Sequence, residues 1–424
     1  MSTRALVVLG AALSQLPLIA RARDRGLVVC AVDGRADRPG LRDADIGIHH
    51  DFADTPGVVD ALAEHGVDAV GVCSMGSDHA VVPLARLAAA LGLPGLSVDA
   101  AEAATDKRRQ RALFAEHDVP SAGFAAVETE AEALAAYRAL GPRMILKPTD
   151  GAAQRGVSDV QAEDEVAAAV AHARAHSRSG RLIAEEYLDG PEYTVNGFVA
   201  AGRFHPVTTT LRALAPAPAV GICTAHRFPS GRPEADVAAI EDATRRAAAA
   251  IGIDDAPVYA QLRFTASGPR LIECGARLGG GGDASLAALV TGIDLIDVVL
   301  DAAAGALDPA ALERKPMAEP CGQNWFVIPE QPGRVIRAGA GTAAQLPGVH
   351  AVGFYHRAGS VIPPLVSASG RLGHLLVTGA SEAELDARTA AAVAALDVEV
   401  EAMDGEAAAA AWAAHVARAR EGGA

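Results

Sequence analysis

The chain has 424 residues, 50% of them hydrophobic and 21% charged, a length that corresponds to about three domains and a balance that excludes intrinsic disorder. With 52 acidic against 37 basic residues the net charge is −15. That field disfavours nucleic acid and anionic membrane surfaces, while a local basic pocket could still hold phosphates.

In chain order, Ala5 to Leu9 reads as a buried strand ended by Gly10, a helix runs to Asp24, and Leu27 to Val32 reads as a second strand ending at Asp33, a βαβ unit. A helix around Val58 to His65, a strand Ala69 to Val72 and a helix Val81 to Leu91 extend it into a doubly wound domain closed by the Gly/Pro break at Gly92 to Gly95. Asp33 invites a dinucleotide reading, but the turn is GAALSQ rather than G-x-G-x-x-G, so a structural strand-end aspartate is preferred. The start lacks a cleavage pattern and reads as strand, turn and helix rather than a signal peptide. Apolar runs are interrupted by Gln15 and Pro17, and later by Asp294 and Asp297, so no membrane-spanning helix is expected.

A helix starting near Thr105 carries Lys107, Arg108, Arg109 and Arg111, by default a solvated face. Met144 to Asp159 predicts two strands joined by a Gly-containing loop, a helix runs to His176, and Arg181 to Val199 predicts two strands around a Gly-Pro turn. Pro257 to Phe264 and Pro269 to Cys274 form a hairpin, and Gly279 to Gly282 precede a helix. In the last hundred residues, GQNWFVIP and HLLVTG read as strands, Gly339 to Gly341 and Pro363 to Gly370 as loops, and Ser381 to Leu396 and Glu406 to Arg420 as helices, a separate α+β domain. Cys30, Cys73, Cys223, Cys274 and Cys321 are scattered, with no CxxC, which fits a reducing cytoplasm and argues against a zinc knuckle or disulfide framework.

Lys147 ends a strand before a loop containing Gly151 and Gly156, so an ammonium and backbone N–H groups can converge on phosphates; an ordinary hairpin explains the same residues, and the Walker order is absent. In EEYLDGPE, two carboxylates flank a turn, suited to an adenine amino group and ribose hydroxyls or simply to the acidic edges of a surface hairpin. Gln261 and Glu273 lie on adjacent strands where matching phase puts both on one site, with Arg263 and Arg277 from the same hairpin and the segment after it. A carboxylate there can hold Mg²⁺ beside phosphates, and Arg277 can neutralise charge at an acyl phosphate or tetrahedral centre.

Taken together in order, these motifs resemble the ATP-grasp enzymes over nearly the whole chain. The resemblance implies an N-terminal pre-ATP-grasp domain (1–104), a two-lobed nucleotide-binding and catalytic domain (105–315) and a C-terminal α+β domain (316–424). TDKRRQRALFAEHDVPS would place Lys107, and ILKPTDGAAQRGV Lys147, on ATP phosphates, with the Gly151 to Gly156 loop closing over them. EEYLDGPEYTV implies Glu185 near the adenine amino group, main-chain groups of Glu186 and Leu188 on the ring edge, and Glu192 on the ribose. YAQLRF and LIECGARLGGGG imply Gln261 and Glu273 as metal positions, Arg277 as catalytic and substrate-binding arginine, and Gly280, like His226 in CTAHRFPS, beside substrate. Many relatives carry an acid where this chain has Gln261 and Asn where it has Gly275, which leaves Glu273 as the carboxylate ligand.

RLGHLLVTGASEAELDARTAAAVAAL is similar to the third domain of amino-acid ligases. That likeness implies ATP-dependent amide formation between a small-molecule carboxylate and an amine through an acyl phosphate, with ATP and Mg²⁺; a homodimer is compatible with it. The alternatives are phosphorylation of bicarbonate or carbamate, and nucleotide binding without catalysis.

Overall fold

The computed structural model describes residues 2–151, 154–216 and 219–421. Four parallel strands in the order Ile46–His49, Val29–Asp33, Thr3–Leu9 and Val67–Cys73 form the first sheet. Val29–Asp33 is buried along its entire length, as expected of a strand covered on both faces. Asp33 accepts hydrogen bonds from the Ala11 N–H at 2.7 Å and the Arg35 N–H at 2.9 Å. It fastens the turn after the first strand, the structural role preferred from the sequence.

Asp106 caps the helix Lys107–Glu116 by accepting from the N–H groups of Arg108 and Arg109, a device that satisfies orphan donors of the first turn. The charge run on this helix is not one solvated face: Arg108 pairs with Glu128 at 2.6 Å, whereas Arg111 is 1% exposed and turns inward.

Phe124–Val127, Leu182–Glu186, Met144–Pro148 and Ser158–Val160 form, in that order, an antiparallel sheet backed by the helices Glu130–Leu140 and Val166–Ala175. Beside it stands an eight-stranded antiparallel sheet in the order Gly268–Gly275, Ala256–Thr265, Glu192–Ala200, Arg203–Leu214, Cys223–Phe228, Cys321–Val327, Gly373–Gly379 and Val349–Phe354. Helix Glu234–Ile251 packs Ile240, Ala247 and Ile251 against Val195, Val258 and Leu262, each large aliphatic contributing about 1.5–3 kcal/mol by burial.

Sequence periodicity did not single out Arg203–Leu214, Cys223–Phe228 or this helix. Pairing of Cys223–Phe228 with Cys321–Val327 carries the sheet across the boundary expected at residue 316, so that expected domain shares backbone hydrogen bonds with the one before it. A small sheet of Val361–Ile362, Gly333–Gly339 and Asp397–Ala402 completes the chain. All five cysteines are buried and free. No helix among the described residues is long and apolar enough to cross a membrane.

Candidate active site

A cavity of about 380 Å³ lies where the four-stranded antiparallel sheet, the eight-stranded sheet and segments from both ends of the chain meet. Every residue singled out above for ATP, metal, catalysis or substrate lines it except Gly156. Gly156 has φ +73, and a Cβ there would come within 2.8 Å of His176 Cβ and 2.9 Å of Pro148 Cγ. The turn itself requires a glycine at this position. Residues 152 and 153 of the loop expected to close over phosphates lie outside the described residues.

At one end, Lys147 and Glu185 come from neighbouring strands, and the Lys147 Nζ lies 2.6 Å from Glu185 Oε2. An Arg111 terminal nitrogen lies 2.8 Å from Glu185 Oε1 as an ion pair. Burial would raise the Glu185 pKa, but Arg111 and then Lys147 outweigh it and hold the carboxyl below its ordinary range. Burial pushes the Lys147 ammonium down against the pull of Glu185. Glu185 therefore serves two buried cations as well as facing the cavity.

The Glu186 N–H is committed to the Gly123 carbonyl at 2.8 Å, and the Leu188 carbonyl accepts from Arg263 at 2.9 Å. Gly123 turns its own N–H to the Glu186 carboxylate at 3.1 Å. The Glu186 side chain is held by Arg270 in two contacts of 2.8 and 2.9 Å. Glu192 is buried in ion pairs with Arg212 and, at 3.5 Å, Arg263, so a ribose hydroxyl would have to share its oxygens with two guanidiniums.

In the middle, Gln261 and Glu273 face each other across antiparallel strands, which realises the phase argument. Gln261 Nε2 donates to the Tyr259 hydroxyl at 3.3 Å, leaving its carbonyl oxygen for a cation. Glu273 has Lys107 at 3.8 Å, and Lys107 also donates to the Gly151 carbonyl at 2.9 Å. No group of three or more His, Cys, Asp or Glu side chains that could hold a metal occurs among the described residues. Two hard oxygen donors fit a Mg²⁺ whose remaining ligands are phosphates and water, not an all-protein cage.

Arg277 is tied to Asp78, the first residue of helix Asp78–Leu91, at 2.7 and 3.2 Å, and donates to the Leu278 carbonyl at 3.1 Å. Three of its five N–H donors are used, leaving two for a ligand. Burial opposes Asp78 ionisation, and Arg277 outweighs it, so this carboxyl stays below its usual value. A Cβ on Gly275 would meet Asp78 Oδ1 at an ordinary 3.7 Å; packing does not force the glycine there.

His226 sits on a strand with its Nδ1 lacking a hydrogen-bond partner among the described residues, 3.6 Å from Asp283 Oδ1. Burial, with Arg212 and Arg371, drives its pKa well down, so it is neutral at pH 7. Asp283 is 1% exposed, neither oxygen has a hydrogen-bond partner among the described residues, and burial pushes its carboxyl up to about 7. Sequence reasoning missed Asp78, Arg212, Tyr259, Asp283 and Arg371. Only Asp283 had a signal, its position directly after four glycines.

Residues 141–284 match the ATP-grasp domain family and residues 325–401 the L-amino acid ligase C-terminal domain 2 family. The alanine–anticapsin ligase of Bacillus subtilis is 26% identical over 277 residues, 59% of this chain and 58% of that relative. A D-alanine–D-alanine ligase of Chromohalobacter salexigens is 31% identical over 149 residues, 35% of this chain and 47% of that relative. The solved structure of an L-amino acid ligase from Bacillus licheniformis superposes with a TM-score of 0.82 at 22% identity, covering 95% of this chain and 100% of that one. The chain spans about half the length of these two curated relatives. The chain has the ATP-grasp fold and carries a segment that matches the ATP-grasp domain family, followed by one that matches the second C-terminal domain of the L-amino acid ligases.

Proposed function

We propose that the chain is an ATP-dependent carboxylate-amine ligase that joins two amino-acid-type substrates. The observation that carries this reading is one cavity holding, in sequence, a nucleotide end (Lys147, Glu185, Leu188), a phosphate and cation centre (Lys107, Gln261, Glu273) and a guanidinium (Arg277). Seven basic side chains against five acidic ones line it, so an overall acidic protein presents a locally cationic site, suited to a nucleotide plus a carboxylate.

In this reading a substrate carboxylate oxygen attacks the γ-phosphorus of ATP and ADP leaves; the amine nitrogen then attacks the acyl carbon and phosphate leaves. Phosphoryl transfer needs mainly positioning and charge neutralisation, supplied by Lys107 and Lys147. Glu273 and Gln261 would hold Mg²⁺, which when bound would supply neutralisation of phosphate charge. Arg277, fixed by Asp78, directs its remaining donors at oxygen charge that develops during attack. The similarity to ligases of amino acids, alanine–anticapsin ligase among them, supports the substrate class.

The test is a phosphate-release screen over paired amino acids, with hydroxylamine as a substitute amine that traps an acyl phosphate as a hydroxamate. Amino-acid-dependent release and hydroxamate formation are expected. ADP release that follows bicarbonate instead, or ATP binding without turnover over the whole panel, would refute the reading.

A further inference from the structure

The cavity-lining arginines 212, 263 and 277 each have a carboxylate within ion-pair distance. Arg371 lines the same cavity and differs from them. Its guanidinium lies 3.9 Å above the Phe326 ring, and no carboxylate stands within 4.0 Å of it among the described residues. Its Nε is buried and has no hydrogen-bond partner there. Asp283 is close enough to feel the charge yet outside ion-pair distance. An uncompensated guanidinium inside a protein is costly, by several kcal/mol where burial is complete. Stacking on an aromatic face offsets part of that and fixes the plane of the fork, with its N–H edge left open.

Arg371 follows directly on the turn Ala368–Gly370, whose Ala368 also lines the cavity. This wall, with Phe326, belongs to the C-terminal part of the chain, whereas Lys147, Glu185 and Leu188 at the nucleotide end all precede residue 190. A planar fork with an open edge matches a carboxylate in a bidentate pair. The carboxylate to be phosphorylated must instead reach Lys107, Glu273 and Arg277.

We infer that Arg371 receives a second, unreacting carboxylate, so that the amine substrate is an amino acid with a free carboxyl group. This deepens the ligase reading and rests on it for the name of the substrate, but not for the existence of the site. Neutral His226, on the same cavity, offers an uncharged neighbour that does not compete for the anion. An amino-acid amide or ester would lose the charge-assisted pair and bind worse.

The test is calorimetric titration of the whole protein, with Mg²⁺ and a non-hydrolysable ATP analogue, using the twenty L-amino acids and the carboxamide of each one that binds. At least one amino acid should bind the wild type more tightly than its carboxamide by about 10- to 100-fold, the range of a charge-assisted contact. In Arg371→Ala that ratio should collapse towards one, and Arg371→Lys should recover part of it. Arg371→Gln keeps the stem and serves if the alanine variant does not fold, with the same collapse expected. The inference is overturned if no amino acid binds the wild type, or if removing Arg371 weakens acid and amide equally or neither. Hydroxamate trapping in parallel separates the two ideas. Hydroxamate without any Arg371-dependent amino acid defeats this site and spares the ligase; an Arg371-dependent amino acid without hydroxamate does the reverse.

Discussion

Asp78→Asn isolates what the first domain contributes to the chemistry. Asp78 meets Arg277 at 2.7 and 3.2 Å, with side-chain exposures of 36% for the acid and 13% for the arginine. The amide keeps one acceptor for Nε but turns a donor, or nothing, towards the second nitrogen, and the charge is gone. Breaking a fully buried pair costs about 3–5 kcal/mol, an exposed one less than about 1 kcal/mol; for a partner exposed to this degree about 1–2 kcal/mol of stability is expected. The larger effect is on positioning, since a displacement of about 1 Å at a reacting group costs about 10²-fold in rate. Turnover, measured as coupled ADP release with the substrate pair from the screen, should fall about 10- to 100-fold, while the ATP dissociation constant moves less than about threefold. Wild-type turnover in a variant whose thermal midpoint has dropped would show that the pair only holds two domains together. Loss of ATP binding instead would make Arg277 a ground-state nucleotide ligand.

Glu185→Ala strips Lys147 and Arg111 of their shared counter-charge, so it should abolish measurable ATP binding and destabilise the protein by about 3 kcal/mol or more; Lys147→Ala should weaken ATP binding with a smaller stability loss, and unchanged dissociation constants in both would defeat the nucleotide assignment. Glu273→Ala should abolish Mg²⁺-dependent turnover far more severely than Gln261→Ala, because only the first removes a charged ligand; equal, mild losses in a Mg²⁺ titration would contradict this. Asp283, pushed from an ordinary 3.8 up to about 7, stays protonated in the folded state while the unfolded chain ionises, so between about pH 4 and 7 the folded state binds more protons and this residue's contribution to stability falls as pH rises. Asp283→Asn should remove that downward component from the urea midpoint profile, and identical profiles for wild type and variant would show that the carboxyl is not held neutral.

The burial of Glu185 rather than Glu186 was legible from the chain, because alternation fixes which of the two points inward once the strand is recognised. Gln261 and Glu273 are different: the hairpin turn alone would set Gln261 opposite Ile272, and a register shift between Gln261 and Leu262, which the sequence did not reveal, brings it opposite Glu273. Sequence also identified Asp33 as a strand-end aspartate, from the glycines that were missing. It did not yield the long strand Arg203–Leu214, whose burial follows no simple alternation. Nor did it show that the C-terminal strands join the same sheet, because pairing between distant strands leaves no local period.

What the sequence determined by itself is therefore the local chemistry: the glycine-bearing turn after Lys147, the acidic turn after Glu185, the metal-suited hairpin. Tertiary structure alone decided which charges are neutralised and which remain open. Asp78 comes to Arg277, Arg111 to Glu185 and Arg212 to Glu192, while Arg371 reaches the cavity without a carboxylate partner among the described residues. The physical reason is that an ion pair depends on a few ångströms of separation in a low-dielectric interior, and that distance is fixed by how whole sheets and helices pack, a property no stretch of neighbouring residues encodes.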